Sequence, residues 1–432
     1  MQTSFSLAQL ADPDIAAADR ILRNCVHCGF CTATCPTYVT LGDENDSPRG
    51  RIYLIKNMLE NDEQPDAVVT KHIDRCLTCL SCMTTCPSGV DYMHLVDIAR
   101  VKIEDEYQRP WPDRALRNLL AFLLPKPGLF RTALRLGQIG RALGLRHLVK
   151  GRLQALFDML PRDIPAASPT DAPGVFTAEG QRRGRVALLA GCAQPVLDPG
   201  INQAAIRLLN RAGIEVVVAD GAGCCGALTQ HMGREHDARM AARRNLHAWA
   251  REMDGAGLDA IVMTTSGCGT TIKDYGHLFR GDPEEKLAQR VASLARDVSE
   301  YLSAINLPEM TVPTDIKIAY HAACSLQHGQ RVREAPKDLL RKAGFTVAEI
   351  PEAHLCCGSA GTYNLLQPEI ARTLRDRKIA NIASTGAAAV SAGNIGCLQQ
   401  LKSGMATPVL HTVELLDWAS GGPKPAALVS QG

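Results

Sequence analysis

Residues 25–36 run CVHCGFCTATCP, and residues 76–87 repeat the arrangement as CLTCLSCMTTCP. Both follow C-x2-C-x2-C-x3-C-P, and the spacing has a physical meaning. Three thiolates on one tight loop can each reach a different iron of a cubane, while the fourth, turned away by Pro36 or Pro87, reaches the other cube. Soft thiolates also suit iron–sulfur clusters better than hard cations. The pattern therefore predicts one [4Fe–4S] cluster on Cys25, Cys28, Cys31 and Cys86, and a second on Cys76, Cys79, Cys82 and Cys35. Structural zinc also uses C-x2-C, but zinc ribbons employ two separate pairs, not four cysteines in eleven residues twice over.

The surroundings of these runs predict helices. Asp46-Ser47-Pro48-Arg49 has the form of a helix start, with Ser47 as N-cap and Pro48 at the first helical position. RIYLIKNMLE (51–60) continues it with apolar residues at helical spacing, and HLVDIARVKIEDEY (94–107) predicts a second helix. Residues 1–110 are thus expected to form a helical two-cluster domain of ferredoxin type. Arg49, Arg51 and Lys56 fall between the two runs, where they either balance the charge of anionic clusters or form a solvated face.

Working outward, residues 185–418 contain an internal duplication. RVALLAGC (185–192) matches KIAYHAAC (317–324), each a short buried strand ending in Cys. Helical stretches follow, closed by Gly213 and Gly344, and then strands IEVVVAD and FTVAEIP leading to GCCG (223–226) and LCCG (355–358). A long helix and a further strand reach Cys268 in one copy and Cys397 in the other. Cys192 and Cys224 are 32 positions apart, as are Cys324 and Cys356. The order strand–helix–strand with short loops predicts two α/β units with parallel strands. Each offers four cysteines (Cys192, Cys224, Cys225, Cys268; Cys324, Cys356, Cys357, Cys397) after strands, where the carboxyl ends of a parallel sheet gather ligands. The residues leave three uses open: a further iron–sulfur cluster, a zinc ion, or reactive thiols.

The fold class expected is α+β and multidomain. A helical two-[4Fe–4S] domain (1–110) comes first, then a basic amphipathic helical segment (111–160) and a Pro- and Gly-rich linker (161–184). The Cys-Cys-Gly repeats occupy 185–280 and 316–418, and a disordered tail 419–432. The whole chain has 432 residues, sixteen of them Cys, with a formal net charge of +2 and only 4% aromatic residues. Such a balance argues against nucleic-acid binding. The opening MQTSFSLAQLADPD lacks the basic and apolar regions of a secretory signal, and no run reaches the roughly 18 apolar residues of a bilayer span. A reducing compartment is expected, where clustered cysteines serve as metal ligands rather than disulfides.

Three further features bear on function. Residues 221–226, GAGCCG, satisfy G-x-G-x-x-G, but the second copy lacks these glycines and no acidic residue ends a strand about 20 positions on, so a dinucleotide site is rejected. His231, His236 and His247 are expected on one helix as surface residues, whereas His321 and His354 adjoin cluster-type cysteines, where a proton or quinone role is conceivable. Between residues 114 and 157 stand nine basic residues (Arg114, Arg117, Lys126, Arg131, Arg135, Arg141, Arg146, Lys150, Arg152) and no acidic one up to Phe157. They fit an anionic membrane or an acidic partner, or else a bridging helix pair packed on the cluster domain.

Taken together, ILRNCVHCGFCTATCPTY, GDENDSPRGRIYLIK, RCLTCLSCMTTCPSGV, GCAQP, GCCGA, SGCG, HLCCGSAGTY and NIGC resemble the iron–sulfur subunits of glycolate oxidase (glycolate dehydrogenase) over nearly the whole chain. Electron-transfer subunits of heterodisulfide reductase, of lactate-utilisation systems and of anaerobic glycerol-3-phosphate dehydrogenase are related. The resemblance implies an oxidoreductase subunit with no catalytic residue of its own. It also implies a flavin-binding catalytic partner and a second flavoprotein-like subunit, with FAD confined to those partners. Glycolate, or D-lactate, would be oxidised to the 2-oxo acid, and electrons delivered to a quinone from a cytoplasmic, peripheral position on the inner membrane. The alternative is a heterodisulfide-reductase-like enzyme with redox catalysis at the repeats. One departure stands out: fuller Cys-Cys-Gly repeats end in C-x2-C, whereas Thr265 and Asn394 occupy the earlier position here, so a five-cysteine cluster is in doubt in both copies.

Overall fold

In the computed structural model, which describes residues 1–312 and 315–429, the N-terminal part is helical for the reasons its sequence suggests. The Ser47 hydroxyl accepts a hydrogen bond from the Gly50 amide at 3.0 Å and opens the helix Pro48–Glu60. That helix packs with Pro13–Asn24 and Tyr92–Glu106 through Leu22, Ile55, Leu95, Val96 and Ile103, all buried at helical spacing. The cysteine runs fill the gaps between these helices, and no strand occurs before residue 174 among the described residues.

The repeats form two sheets. The first comprises β1 (Gly174–Phe176), β2 (Gly184–Leu188), β3 (Ile214–Val218), β4 (Ala260–Met263) and β5 (Ala295–Asp297), in the order β1-β3-β2-β4-β5. The second comprises β6 (Lys317–Tyr320), β7 (Thr346–Glu349), β8 (Ala389–Ala392) and β9 (Val409–His411), in the order β7-β6-β8-β9. Apart from β1, every pairing is parallel. Central strands β2 and β4 are covered on both faces, which is why they are continuous apolar runs rather than alternating ones. One apolar core joins the two sheets, with Val186, Leu188 and Leu209 of the first copy packed with Ile318, Val390 and Leu416 of the second. Arg207 and Arg211 grip the buried Asp417 across the same junction. The duplication has therefore merged into a single α/β body.

Three expectations change. Residues 161–184 are not merely a linker, since β1 adds antiparallel to the edge of the first sheet and satisfies the outer backbone groups of β3. The first copy also runs past residue 280: β5 and the helix Val298–Ala304 correspond to β9 and the helix Thr412–Ala419. The tail is not disordered throughout, because Ala426–Val429 forms a helical turn that buries Leu428 in the shared core; residues 430–432 lie outside the described residues.

The helix Tyr92–Glu106 docks on the first repeat through polar contacts. His94 bridges Asp91 at 2.5 Å and Asp274 at 3.0 Å, and stacks on His277 with ring centroids 3.5 Å apart. Burial alone would lower the His94 imidazole, but hydrogen bonds to Asp274 and Asp91 outweigh it and hold it up to about 10. Burial, and then the His94 charge, lower His277, so one charged ring stacks on a neutral one. A folded-state value above the free value of about 6.5 means that this contact stabilises fully below that pH and is lost as pH climbs through about 10. Anaerobic thermal unfolding should therefore lose stability across that window in the native chain, with a shallower slope in His94→Leu; parallel slopes would show that His94 is not the titrating contact.

Candidate metal centres

The two N-terminal cysteine loops share one backbone shape. His27 and Thr78 occupy equivalent left-handed positions (φ 58° and 50°), as do Gly29 and Leu80 (φ 86° and 61°). These left-handed residues curl each loop tightly around its thiols. Cys25, Cys28 and Cys31 line one cavity together with Cys86 from the other run, and Cys76, Cys79 and Cys82 line a second with Cys35. Cys82 also borders the first cavity. Cys28 is exposed, beside the exposed Val26 and Phe30, so the first cavity lies near the surface and the second deeper.

Burial pushes the Cys79 and Cys82 thiols well up and Cys31 up to about 11. Cys76 moves the other way: burial would raise it, but the charges of Arg51 and Arg100 hold it below the ordinary thiol value. Arg51 is fully buried, contrary to a solvated face. Its Nη1 approaches Cys35 Sγ at 3.9 Å, while its remaining donors reach His72 O (2.7 Å), the Thr37 hydroxyl (3.0 Å) and Asp46 (3.3 Å). Arg49 instead pairs with Glu44, and Lys56 with Glu60, both at the edge. Arg100 donates to Cys76 O at 2.8 Å and Thr78 Oγ1 at 2.6 Å, and the Tyr92 hydroxyl donates to Cys76 Sγ at 3.6 Å. Arg100 and Tyr92 were not singled out from the sequence, although an arginine within the apolar stripe of Leu95, Val96, Ala99 and Ile103 is a usable signal.

In the repeats the thiols meet in the same order in both copies: Cys192–Cys224–Cys225–Cys268 and Cys324–Cys356–Cys357–Cys397. Cys324 Sγ lies 3.7 Å from Cys356 Sγ. Cys268 and Cys397 stand on the first turns of the helices Ser266–Lys273 and Ile395–Lys402 rather than on loops. Each Cys-Cys step ends in a left-handed glycine, where a Cβ would meet backbone: 2.8 Å from Ala238 O at Gly226 and 2.5 Å from Ala371 O at Gly358. In the glycine-rich loop at 221–226 three amides are taken by the protein itself: Ala222 N–H donates to Ala219 O at 3.2 Å, Gly223 N–H to Asn245 Oδ1 at 2.8 Å and Gly226 N–H to Cys224 Sγ at 3.5 Å. That accords with rejecting a nucleotide there. Thr265 is tied to Gln194 at 2.7 Å, whereas the Asn394 amide donates to Cys397 Sγ at 3.4 Å.

The histidines separate. His231 is not on the long helix Glu235–Asp254 but caps the turn Ala227–Gln230, and burial lowers it to about 3. His236 and His247 are exposed on that helix, His247 against Glu284. His354 is half-buried, while His321 is enclosed beside Cys357 and Cys397. His328 bridges Thr84 at 2.7 Å and His354 O at 3.2 Å, joining the second N-terminal loop to the second repeat. At that junction Leu77, Cys79, Cys356 and Tyr363 share one buried apolar cluster, and Tyr363 donates to Arg75 O at 3.1 Å. The donor set, soft sulfur converging from several loops with cationic and hydrogen-bonding support, fits iron–sulfur clusters at residues 25–86 and a thiolate-bound metal in each repeat.

Comparisons with known proteins agree with this chemistry. A family described as a 4Fe-4S dicluster domain matches residues 21–90, and one described as a cysteine-rich domain matches 186–273 and 318–402. The chain is 42% identical to the glycolate oxidase iron–sulfur subunit of Escherichia coli strain K12, over 97% of this chain and 99% of that protein. It is 32% identical to a probable glycolate oxidase iron–sulfur subunit of Bacillus subtilis strain 168, over 93% and 94% of the two. Lactate utilization protein A of Geobacillus thermodenitrificans is 27% identical over 54% of this chain and 98% of its own length. A crystal structure of a hypothetical protein from Helicobacter pylori shares the fold, with a TM-score of 0.56 at 11% identity, covering 96% of this chain and 74% of that one.

Two substitutions test the supports. Asp46→Ala leaves Arg51 buried without its carboxylate and should cost about 3–5 kcal/mol in chemical denaturation. Gly358→Ala forces a left-handed alanine against Ala371 O, which should cost about 1–3 kcal/mol and lower metal retention in the second repeat. A Gly358→Ala chain as stable as the native one would mean that the loop has room to shift.

Proposed function

Because the chain belongs to the family of glycolate oxidase iron–sulfur subunits, we propose that it carries electrons from a flavin-binding catalytic subunit that oxidises glycolate, or D-lactate, towards a membrane quinone. A second flavoprotein-like subunit completes the assembly, and FAD stays on the partners. Cys25, Cys28, Cys31 and Cys86 would hold one [4Fe–4S] cluster and Cys76, Cys79, Cys82 and Cys35 the other, with a further cluster or a zinc ion on the four cysteines of each repeat. When bound, such clusters supply one-electron transfer, dividing the pair of electrons that a flavin takes from a hydroxy acid.

The observation that carries the reading is continuity. Cys79 and Cys356 belong to one buried apolar cluster, so the deeper N-terminal site and the second repeat adjoin within dry protein. Arg51 and Arg100 place positive charge beside Cys76 and steady a negatively charged centre there. Exposed Val26, Phe30 and Tyr53 surround the surface-near Cys28 and offer an apolar rim to a partner. Burial of Cys224, Cys225, Cys356, Cys357 and Cys397 favours electron transfer over a reductase that must admit a disulfide substrate.

The peripheral position on the cytoplasmic face of the inner membrane is proposed from the basic segment. Trp111, Phe122, Leu136, Leu143 and Leu148 are strongly exposed there, and among the described residues Arg114, Arg135 and Lys150 make no side-chain hydrogen bond or ion pair. Arg117, Arg131, Arg141, Arg146 and Arg152 are instead spent on internal contacts. No described helix is long and apolar enough to cross a membrane, so attachment would be to the surface.

Anaerobically purified chain should hold about eight irons if only residues 25–86 are loaded and roughly twelve to sixteen with the repeats filled by clusters. In the assembled complex, Cys79→Ser should lower glycolate-dependent quinone reduction at least tenfold while leaving glycolate-dependent reduction of a dye that accepts directly from flavin. Equal loss of both activities, or of neither, would sink the carrier role. Anionic vesicles should pellet the native protein in a salt-sensitive way, and a chain with Arg114, Arg135 and Lys150 all changed to Glu should stay in solution; without native binding, the apolar face belongs to a partner subunit.

A further inference from the structure

The two repeats match in their thiols and differ in one enclosed donor. His321 stands three residues before Cys324, at the end of β6; the equivalent residue of the first repeat, three before Cys192, is Leu189. Leu189 is an ordinary core residue. His321 is 2% exposed, and its Nε2 has no hydrogen-bond partner. A nitrogen so enclosed is costly unless something uses its lone pair or its proton. The backbone there is fixed, because the His321 amide donates to Ser391 O at 2.8 Å and continues the β6–β8 pairing. A ring nitrogen of His321 and the Sγ atoms of Cys357 and Cys397 all lie within 4.8 Å of one another, and all three residues are buried.

The neighbouring position sharpens the contrast. Asn394 cannot stand in as a further anionic donor, because its amide is turned to donate to Cys397 Sγ at 3.4 Å. In the first repeat Thr265 is bound to Gln194, and no histidine takes its place. The second copy therefore has five candidate donors, four sulfurs and one nitrogen, against four sulfurs in the first.

We propose that His321 is a metal ligand in the second repeat, binding through Nε2 beside Cys357 and Cys397, so that this centre has mixed nitrogen–sulfur ligation while the first is all-thiolate. The inference rests on the reading that the repeat cysteines hold metal. Imidazole and thiolate together suit the iron of a cluster, and they also suit zinc.

The test uses full-length protein labelled with 15N-histidine, purified and kept without oxygen, with iron and zinc measured per chain. Pulsed electron paramagnetic resonance of the reduced protein should show a directly bound histidine nitrogen; if the metal is zinc, zinc-edge absorption should show the nitrogen instead. His321→Cys should keep the metal and lose the nitrogen signal. His321→Leu, which gives the second repeat the residue of the first, should keep metal on its four thiolates as the first repeat does, lose the nitrogen signal, and leave the signals of the residue 25–86 clusters unchanged. Metal in the repeats without any bound nitrogen, or a nitrogen signal that persists in His321→Cys, overturns the proposal alone. Metal confined to residues 25–86 overturns it together with the reading on which it rests. Should His321→Leu fail to fold, the His321→Cys comparison still decides.

Discussion

A thiol removed from water resists losing its proton, yet only a thiolate holds a metal well, and the whole molecule is arranged around that conflict. Burial pushes Cys79 and Cys82 well above the ordinary thiol value, and in the second repeat hydrogen bonds among the thiols, followed by burial, leave Cys324, Cys356 and Cys357 well above it. Cys76 escapes because Arg51 and Arg100 face it, and Cys224 because hydrogen bonds from Cys192 and Cys225 favour its anion. For the raised thiols a bound cation would supply the compensation. Folding and metal uptake are then one equilibrium, as in other proteins whose ligands converge from distant segments. The same conflict explains why a fully buried arginine is tolerated at all: Arg51 is neutralised by Asp46 on one side and has sulfur on the other.

How much of this was legible in the sequence depends on range. The N-terminal runs are local, so spacing alone indicates which thiols can converge, and the two loops do share their left-handed positions. The repeats are legible because duplication prints the same strand, helix and Cys-Cys-Gly order twice, and parallel strands buried on both faces must be continuously apolar. What escaped is long-range. Arg100 and Tyr92 are helix residues whose meaning appears only once Cys76 lies against that helix. His328 and Tyr363 act through contacts made across more than two hundred residues of chain. Pro and Gly made 161–184 look like a spacer, and three residues sufficed to add a strand to an open edge. His231 was misplaced because a glycine-bounded turn intervenes before the long helix begins.

Duplication created two equivalent sites in the backbone, and docking of the N-terminal domain made them unequal. Against the first repeat that domain presents charge: His94 with Asp274, and Arg234 with Glu104. Against the second it presents mainly apolar residues and sulfur, Leu77 and Cys79 with Cys356 and Tyr363, flanked by uncharged hydrogen bonds from Thr84 to His328 and from Tyr363 to Arg75 O. A polar interface in low dielectric fixes orientation, and each of its ion pairs must stay matched. An apolar one excludes water and leaves short, dry separation between donors.

That difference bears on direction. If both repeats carried electrons equally, nothing would require the N-terminal domain to meet them through different chemistry. The second repeat instead combines the dry junction with an enclosed histidine, His321, where the first has Leu189, while the surface-near N-terminal site, with Cys28, Val26 and Phe30 exposed, lies at the other end of the series. Unequal ends are what a one-way carrier needs. A surface-near site can be met by a redox partner, whereas a buried one is kept dry and passes charge only to a neighbouring centre. The first repeat shares the core with its twin and anchors the N-terminal helices through His94 and Arg234.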